Sequence, residues 1–251
     1  MERYLESTED LLNKGLAVLV RRPGVSARVG EPEYAGQLLE LMRLVLERNE
    51  NINLTTITEP EEFVLLHLLD SLAPVGMTEL SEARDIIDVG SGAGFPGLPL
   101  ALLYPEKQFL LTDSLRKRCE FIEFAARELG ADNVKVKHQR AEASGREPAL
   151  RESFDLALCR AVGKLPLILE YCLPLVRVDG AAIFYKTVPA KREIEDSLLA
   201  RELLGGSADV RTETYAELLP GREHALYVVK KERETPVAYP RKEGIPAKVP
   251  L

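Results

Sequence analysis

Apolar residues along this chain follow two rhythms, and the change falls near residue 85. Before it, Leu11, Leu12, Leu16 and Leu19 recur at helical spacing, as do Leu38, Leu41, Leu44 and Val45. The stretch EPEEFVLLHLLDSL, residues 59–72, opens on Pro60 with acids in its first turn, as a helix start does. The first 80 residues therefore predict two or three helices forming a cap, with the Pro-, Gly- and Arg-bearing segment 21–32 as the loop between the first two. Beyond residue 85, short β-rich runs alternate with helical ones. Strands are predicted at 85–89, 108–113, 133–138, 154–159, 181–186 and 224–230, with a weaker one near 209–215. Helices are predicted at 97–104, 115–130, 164–176 and 190–204, the second ending on Gly130 as a C-terminal cap. This is the order of βαβ units and predicts an α/β fold with a doubly wound, mostly parallel sheet. The last 18 residues, ETPVAYPRKEGIPAKVPL, hold four prolines and predict neither helix nor central strand. The chain thus divides into a cap (1–80), a sheet domain (81–232) and a Pro-rich basic tail (233–251).

The length of 251 residues, 45% hydrophobic, suffices for one large α/β domain with an appendage. No run approaches 18 uninterrupted apolar residues, and the start, MERYLESTEDLLNKG, is polar and acidic, so a soluble cytoplasmic protein with no membrane partner is expected. Cys119, Cys159 and Cys172 are scattered, with no C-x-x-C pair or histidine cluster, which predicts reduced core thiols and no metal site. The net charge of −7 argues against a nucleic-acid partner until its distribution is read. Residues 1–84 carry 15 acids against 8 bases, whereas residues 222–251 carry 7 bases against 4 acids. That layout permits an RNA-facing tail.

The chemistry concentrates in DIIDVGSGAGFPG, residues 85–97, which packs four glycines and a proline behind an apolar strand. In an open parallel sheet, the first βα turn lies at the ligand edge. Gly92-x-Gly94-x-x-Gly97 fits the dinucleotide fingerprint, and Asp113 ends the second strand where a carboxylate can hold ribose hydroxyls, although it could also cap the following helix. Asp88 separates the candidate ligands. A pyrophosphate would be repelled by a carboxylate two residues before Gly90, whereas the ammonium and sulfonium of S-adenosylmethionine would be attracted by it. Asp88-x-Gly90-x-Gly92-x-Gly94 is the arrangement of D-x-G-x-G-x-G methyltransferases. The segment after the fourth predicted strand reads LCRAVGKLP and lacks the [DN]-P-P-[YFW] motif of exocyclic-amine methylation. Cys159 has neither a preceding proline nor a second cysteine to support pyrimidine C5 attack, and His138 and His224 sit inside predicted strands. A nucleophile that needs no base remains, and guanine N7, with its in-plane lone pair, is one. A nicotinamide-dependent oxidoreductase and a nucleotide-responsive module without catalysis are the competing readings.

Several further runs carry a resemblance. Asn53-Leu54-Thr55, His67-x-x-Asp70-Ser71-Leu72, Gly90-Ser-Gly-Ala-Gly-Phe-Pro-Gly97, Arg160-Ala161-Val162, Lys186 and the tail from Tyr239-Pro-Arg through Gly244-Ile-Pro to Lys248-x-Pro250-Leu251 resemble the RsmG (GidB) family of 16S rRNA guanine-N7 methyltransferases, over roughly residues 35–251. The resemblance implies a Rossmann-like class I methyltransferase with an N-terminal helical cap. It implies S-adenosylmethionine as donor, S-adenosylhomocysteine as product and one guanine in the decoding-region loop of 16S rRNA as target, with the 30S subunit as partner; a monomer is the expected acting form. It also implies that Gly90 and Phe95 contact the cofactor, that Asp113 lies near its ribose, that Ala141 and Glu142 border its adenine, and that Arg160 reaches the cofactor or the target base. With Asp88, Gly92 and Gly94 these form the expected cofactor set. Arg160, donating to guanine O6, and Lys186, meeting a phosphate, are the expected catalytic residues. His67 on the cap and Arg241, Lys242 and Lys248 on the tail are expected to meet RNA, with a structural pairing of His67 with Asp70, at i and i+3 on one helix face, as the alternative for the histidine. One departure is visible: Thr187 follows Lys186 where the family has glycine.

Overall fold

The computed structural model describes residues 2–187 and 191–251. Its strands are β1 (Asp85–Val89), β2 (Gln108–Asp113), β3 (Val134–His138), β4 (Phe154–Arg160), β5 (Val176–Thr187), β6 (Arg211–Thr214) and β7 (His224–Lys230). They form a single sheet in the order β3-β2-β1-β4-β5-β7-β6. The five strands β1 to β5 run parallel, while β7 is antiparallel to both its neighbours. The order reverses between β1 and β4, which makes the carboxyl ends of those strands the switch point where such sheets bind ligands.

The strands are apolar because both faces are covered. Ile86, Leu156, Leu158, Ile183, Leu226 and Val228 belong to one core cluster, and their strand neighbours Ile87, Ala157, Ala182, Ala225 and Tyr227 to the other. The first face is covered by the cap: α1 (Glu2–Val20), α2 (Pro32–Asn49), the turn α3 (Pro60–Phe63) and α4 (Thr78–Glu82). Leu12, Leu16 and Leu19 of α1 and Leu38, Leu41 and Val45 of α2 sit in the same cluster as the sheet face. Polar ties join the two. Tyr34 donates its hydroxyl to the Pro99 carbonyl at 3.0 Å, and Tyr185 of β5 donates to the Ser71 carbonyl at 2.9 Å.

The sheet domain adds α5 (Gly97–Leu103), α6 (Arg116–Glu128), α7 (Ala141–Arg146), α8 (Leu165–Cys172), α9 (Lys191–Asp196), α10 (Leu198–Leu204) and α11 (Ile245–Lys248). Gly130 takes φ 69° just beyond α6, the left-handed cap its position predicts. The helix expected over 190–204 begins outside the described residues at 190, and from 191 onward it is divided at Ser197, whose hydroxyl donates to the Ile194 carbonyl. The tail corrects the expectation of no helix: α11 is a single turn, and Pro246 is tolerated because it stands in the first turn, where its missing N–H is not needed. Thr187 pairs with His224 as ordinary extended strand, so the departure from the family's glycine needs no special backbone. The three cysteines are free and buried.

Candidate active site

A cavity of about 510 Å³ opens at the carboxyl ends of β1, β2, β3 and β4. Its size is that of a small-molecule site. The turn after β1 supplies Gly90, Ser91, Gly92 and Phe95; Asp113 comes from the end of β2, Ala141 and Glu142 from α7, and Arg160 from the end of β4. The cap contributes Leu54 and His67.

The glycines are fixed by close approach. Gly90 has φ 77°, and a Cβ there would lie 2.6 Å from Val162 Cγ2, so only glycine lets the segment after β4 close over the turn. Gly92 donates its N–H to Asp113 Oδ2 at 3.0 Å. Asp113 Oδ1 also accepts from the Leu115 N–H at 2.8 Å, just ahead of α6, and the residue lines the cavity.

Asp88 does not face the cavity, against expectation. It alternates with Ile86 onto the cap side, is fully buried, and its Oδ2 accepts from the Gly97 N–H at 3.0 Å. Its Oδ1 has no hydrogen-bond partner among the described residues. Burial pushes this carboxyl up to about 7, against the opposing pull of the Gly97 N–H. Asp88 therefore organises the glycine turn from below. Gly94 likewise is not part of the lining: at φ 93° it takes a conformation that favours glycine, and a Cβ would lie 2.4 Å from Leu98 Cδ1.

Arg160 is the junction of sheet and cap. Its Nη1 donates to the Leu66 carbonyl and to Asp70 Oδ2, both at 2.9 Å, and its Nη2 lies 3.0 Å from His67 Nδ1. The guanidinium stands 5.4 Å from the centroid of the Phe95 ring. Because a guanidinium can only donate, His67 Nδ1 is the acceptor and its proton sits on Nε2, which donates to Thr55 Oγ1 at 2.7 Å. His67 stacks on Phe95 with centroids 4.8 Å apart. Burial, reinforced by the Arg160 charge, lowers His67 to about 3, so the ring is neutral. The alternative of a direct Asp70–His67 pairing is replaced by a link through Arg160, which bonds both. Asp70 further accepts from the Tyr215 hydroxyl at 2.8 Å and lies 3.1 Å from His224 Nδ1. Burial alone would raise the Asp70 carboxyl, but the His224 hydrogen bond, the Arg160 charge and Tyr215 together hold it below its ordinary value.

Two expected contacts lie elsewhere. Lys186 donates to the Gly163 carbonyl at 2.8 Å and to Glu193 at 2.6 Å, and Glu193 also accepts from the Leu165 N–H. The lysine thus pins the segment after β4 and is not part of the cavity lining. Arg241 is wrapped on Glu170, a fully buried carboxylate, through Nε at 2.9 Å and Nη2 at 2.6 Å. A guanidinium so engaged is not a free RNA grip. Lys248 is exposed, beside Ala247, which lines the cavity.

Sequence reasoning missed Leu54, Arg118, Arg140, Tyr171 and Ala247 in the lining. For Arg118 a signal existed: the bases of SLRKRCE directly follow the second strand. It also missed that residues Val64–Leu69 wind as a π-helix, a form often found at functional sites. Apolar periodicity over six residues cannot distinguish that winding from α.

A doubly wound seven-stranded sheet in the order β3-β2-β1-β4-β5-β7-β6, with β7 antiparallel beside β5 and the glycine turn after β1, is the class I methyltransferase fold. An S-adenosylmethionine-dependent methyltransferase, SibL, superposes with a TM-score of 0.54 at 12% identity, covering 81% of this chain and 71% of that one. The family is settled by sequence: residues 35–211 match GidB, rRNA small subunit methyltransferase G, and the chain belongs to that family. A ribosomal RNA small subunit methyltransferase G from Alkaliphilus metalliredigens is 44% identical over 217 residues, 86% of this chain and 90% of its own length. One from Symbiobacterium thermophilum is 42% identical over 249 residues, 96% of this chain and 97% of its own.

Proposed function

We propose that this protein transfers the methyl group of S-adenosylmethionine to N7 of one guanine in the decoding-region loop of 16S rRNA, acting as a cytoplasmic monomer on the 30S subunit. The reading rests on family membership and on one observation: a single cavity joins the glycine turn, Asp113, Ala141 and Glu142 to a rim made by Arg160, His67 and Leu54. Among the described residues no helix is long and apolar enough to cross a membrane. In this reading residues 1–80 form the cap, 81–232 the methyltransferase domain and 233–251 a tail packed on it.

The residues present suit the donor. The Gly92 Cβ position meets nothing within 4 Å, which leaves room beside main-chain N–H groups, and Asp113 and Glu142 offer carboxylate oxygens at the cavity edge. Asp113 would hold the ribose hydroxyls, Ala141 and Glu142 would border the adenine, and Gly90 with Phe95 would flank the amino-acid end. When bound, the donor supplies a methyl group on a cationic sulfur. The chain's own part is orientation. Guanine N7 carries a lone pair on the neutral base, so the site needs no proton acceptor, and the neutral His67 ring adds no charge beside it. Three of the five Arg160 N–H groups are used by the cap, and the other two, without partners among the described residues, are the donors available to guanine O6. Holding the base in line with the methyl group can supply roughly 7–11 kcal/mol of the barrier. Lys248, and Lys242 beside the anchored Arg241, are the tail bases left for rRNA phosphate.

Incubation with methyl-labelled donor and 30S subunits lacking the mark should place label in 16S rRNA, and borohydride–aniline treatment should cleave it at one guanine. Label without cleavage, or cleavage outside the decoding region, would contradict the proposal.

A further inference from the structure

We propose that the C-terminal segment Tyr239–Lys248 is part of the cofactor site: it holds α7 in place and closes the end of the cavity that takes the purine ring. This rests on reading the cavity as the S-adenosylmethionine site.

The tail is built onto α7 and α8, the two helices that wall that end. Arg241 pairs with the buried Glu170 on α8, while Tyr171, the next residue, lines the cavity. The Gly244 N–H donates to Glu142 Oε1 at 2.9 Å, and Glu142 is itself only 3% exposed. Pro240 lies so close to α7 that a Cβ on Gly145 would stand 2.9 Å from its ring. Arg151 Nη1 bridges the same two parts, donating to the Gly145 carbonyl at 2.9 Å and the Tyr239 carbonyl at 2.8 Å. These bonds deliver the single turn α11 to the cavity, where Ala247 joins Gln139, Arg140, Ala141 and Glu142 in the lining. Burial, with the nearby Glu142 charge, pushes the Tyr171 phenol up to about 12, so it keeps its proton as a donor at this end. Three of the wall's members, Ala141, Glu142 and Tyr171, thus lie on helices that tail residues contact directly or through a neighbour. A segment fastened at these points, with a small side chain facing the space, has the form of a binding wall. The exposed Lys242 and Lys248 flank it.

The test is calorimetric titration of S-adenosylhomocysteine into the full-length protein without RNA. Ala247→Trp fills the space at the wall, and Gly244→Pro removes the N–H that Glu142 accepts; each should weaken binding by ~10-fold or more. Both should raise KM for the donor with kcat at saturation kept, the pattern of lost uniform binding and not of a damaged catalytic group. Lys14→Ala, on the exposed face of α1 and away from the cavity, should leave the affinity unchanged. Circular dichroism checks the fold, and should Gly244→Pro fail to fold, Ala247→Trp, at an exposed position, carries the decision. A folded Ala247→Trp protein binding as tightly as wild type would overturn the role of the tail alone. Wild-type protein that does not bind S-adenosylhomocysteine would remove the cofactor reading and the tail's role together.

Discussion

Arg160→Ala is expected to lower methyl transfer to the 30S subunit by ~100-fold or more, the cost of mislaying a reacting group by about an ångström. It should destabilise the protein as well. Asp70 would be left with a side chain 5% exposed and its cationic partner gone. Breaking a buried pair from one side costs ~3–5 kcal/mol, and at ~2–4 °C per kcal/mol for a protein of this size the melting temperature should fall by roughly 10 °C. Tyr215 and His224 still donate to Asp70, which sets the loss toward the lower end. Arg160→Lys separates the two effects. A lysine can still neutralise Asp70 but cannot reach Leu66, Asp70 and His67 at once, so it should recover stability more than activity. Thermal melts and single-turnover methylation of the two variants measure this. Near-normal activity in Arg160→Ala would rule out the arginine as the element that orients the target.

The second large effect concerns Asp88 and pH. Its folded carboxyl titrates near 7, above the ordinary value of 3.8, because burial disfavours the charge. A group raised in this way contributes stability that is complete below the unfolded value and is lost as pH climbs through the folded one. Wild-type protein should therefore lose ~1.4 kcal/mol per pH unit from this residue between about pH 4 and 7, and no more above that. Asp88→Asn keeps an oxygen for the Gly97 N–H and carries no charge. The variant should gain on wild type as pH rises from 5 to 7, with the difference levelling off at pH 8. His67 acts in the opposite sense: its value is depressed to about 3, so its contribution is present above 6.5 and is lost as pH falls toward 3. Both proteins share that term, and it cancels in the comparison. Because Asp88 lies beneath the turn, Asp88→Asn should also keep its affinity for S-adenosylhomocysteine. A pH-independent difference, or a variant that no longer binds the product, would restore the carboxylate to the ligand side.

The contrast between Asp88 and Arg160 shows what the sequence could convey. Strands β1, β2 and β7 have the predicted bounds, because each is an apolar run closed by turn residues. The glycine turn and Asp113 were legible because fold position and local chemistry agree there, whereas Ala141 and Glu142 were legible only through the family resemblance. The orientation of Asp88 was legible too, since period-2 alternation puts it on the Ile86 face, but the attraction of a carboxylate for a cation outweighed that simpler signal. The engagement of Arg160, Lys186 and Arg241 was not legible. The partners of Arg160 and Arg241 lie 90 and 71 residues away, where the pairing depends on how the cap and tail fold back, and that of Lys186 lies seven residues on, beyond the end of β5 in α9. Short elements such as α4, α7 and α11 span too few turns to display a period.

The same geometry answers how an acidic chain can approach RNA. Asp88, Asp113, Glu142 and Glu170 are buried, and each is bonded within the protein, while Arg140, Lys242 and Lys248 stay exposed around the cavity or on the segment beside it. Local charge at the rim, more than the net charge, governs the encounter.

A crystal structure of the full-length protein with S-adenosylhomocysteine tests the central claim most directly. The account predicts the ribose on Asp113, the adenine between Ala141, Glu142 and Ala247, and the sulfur below the rim of Arg160 and Phe95, with Asp88 still bonded only to the turn. Ligand density outside this cavity, or an Asp88 carboxylate drawn out to meet the ligand's ammonium group, would contradict it.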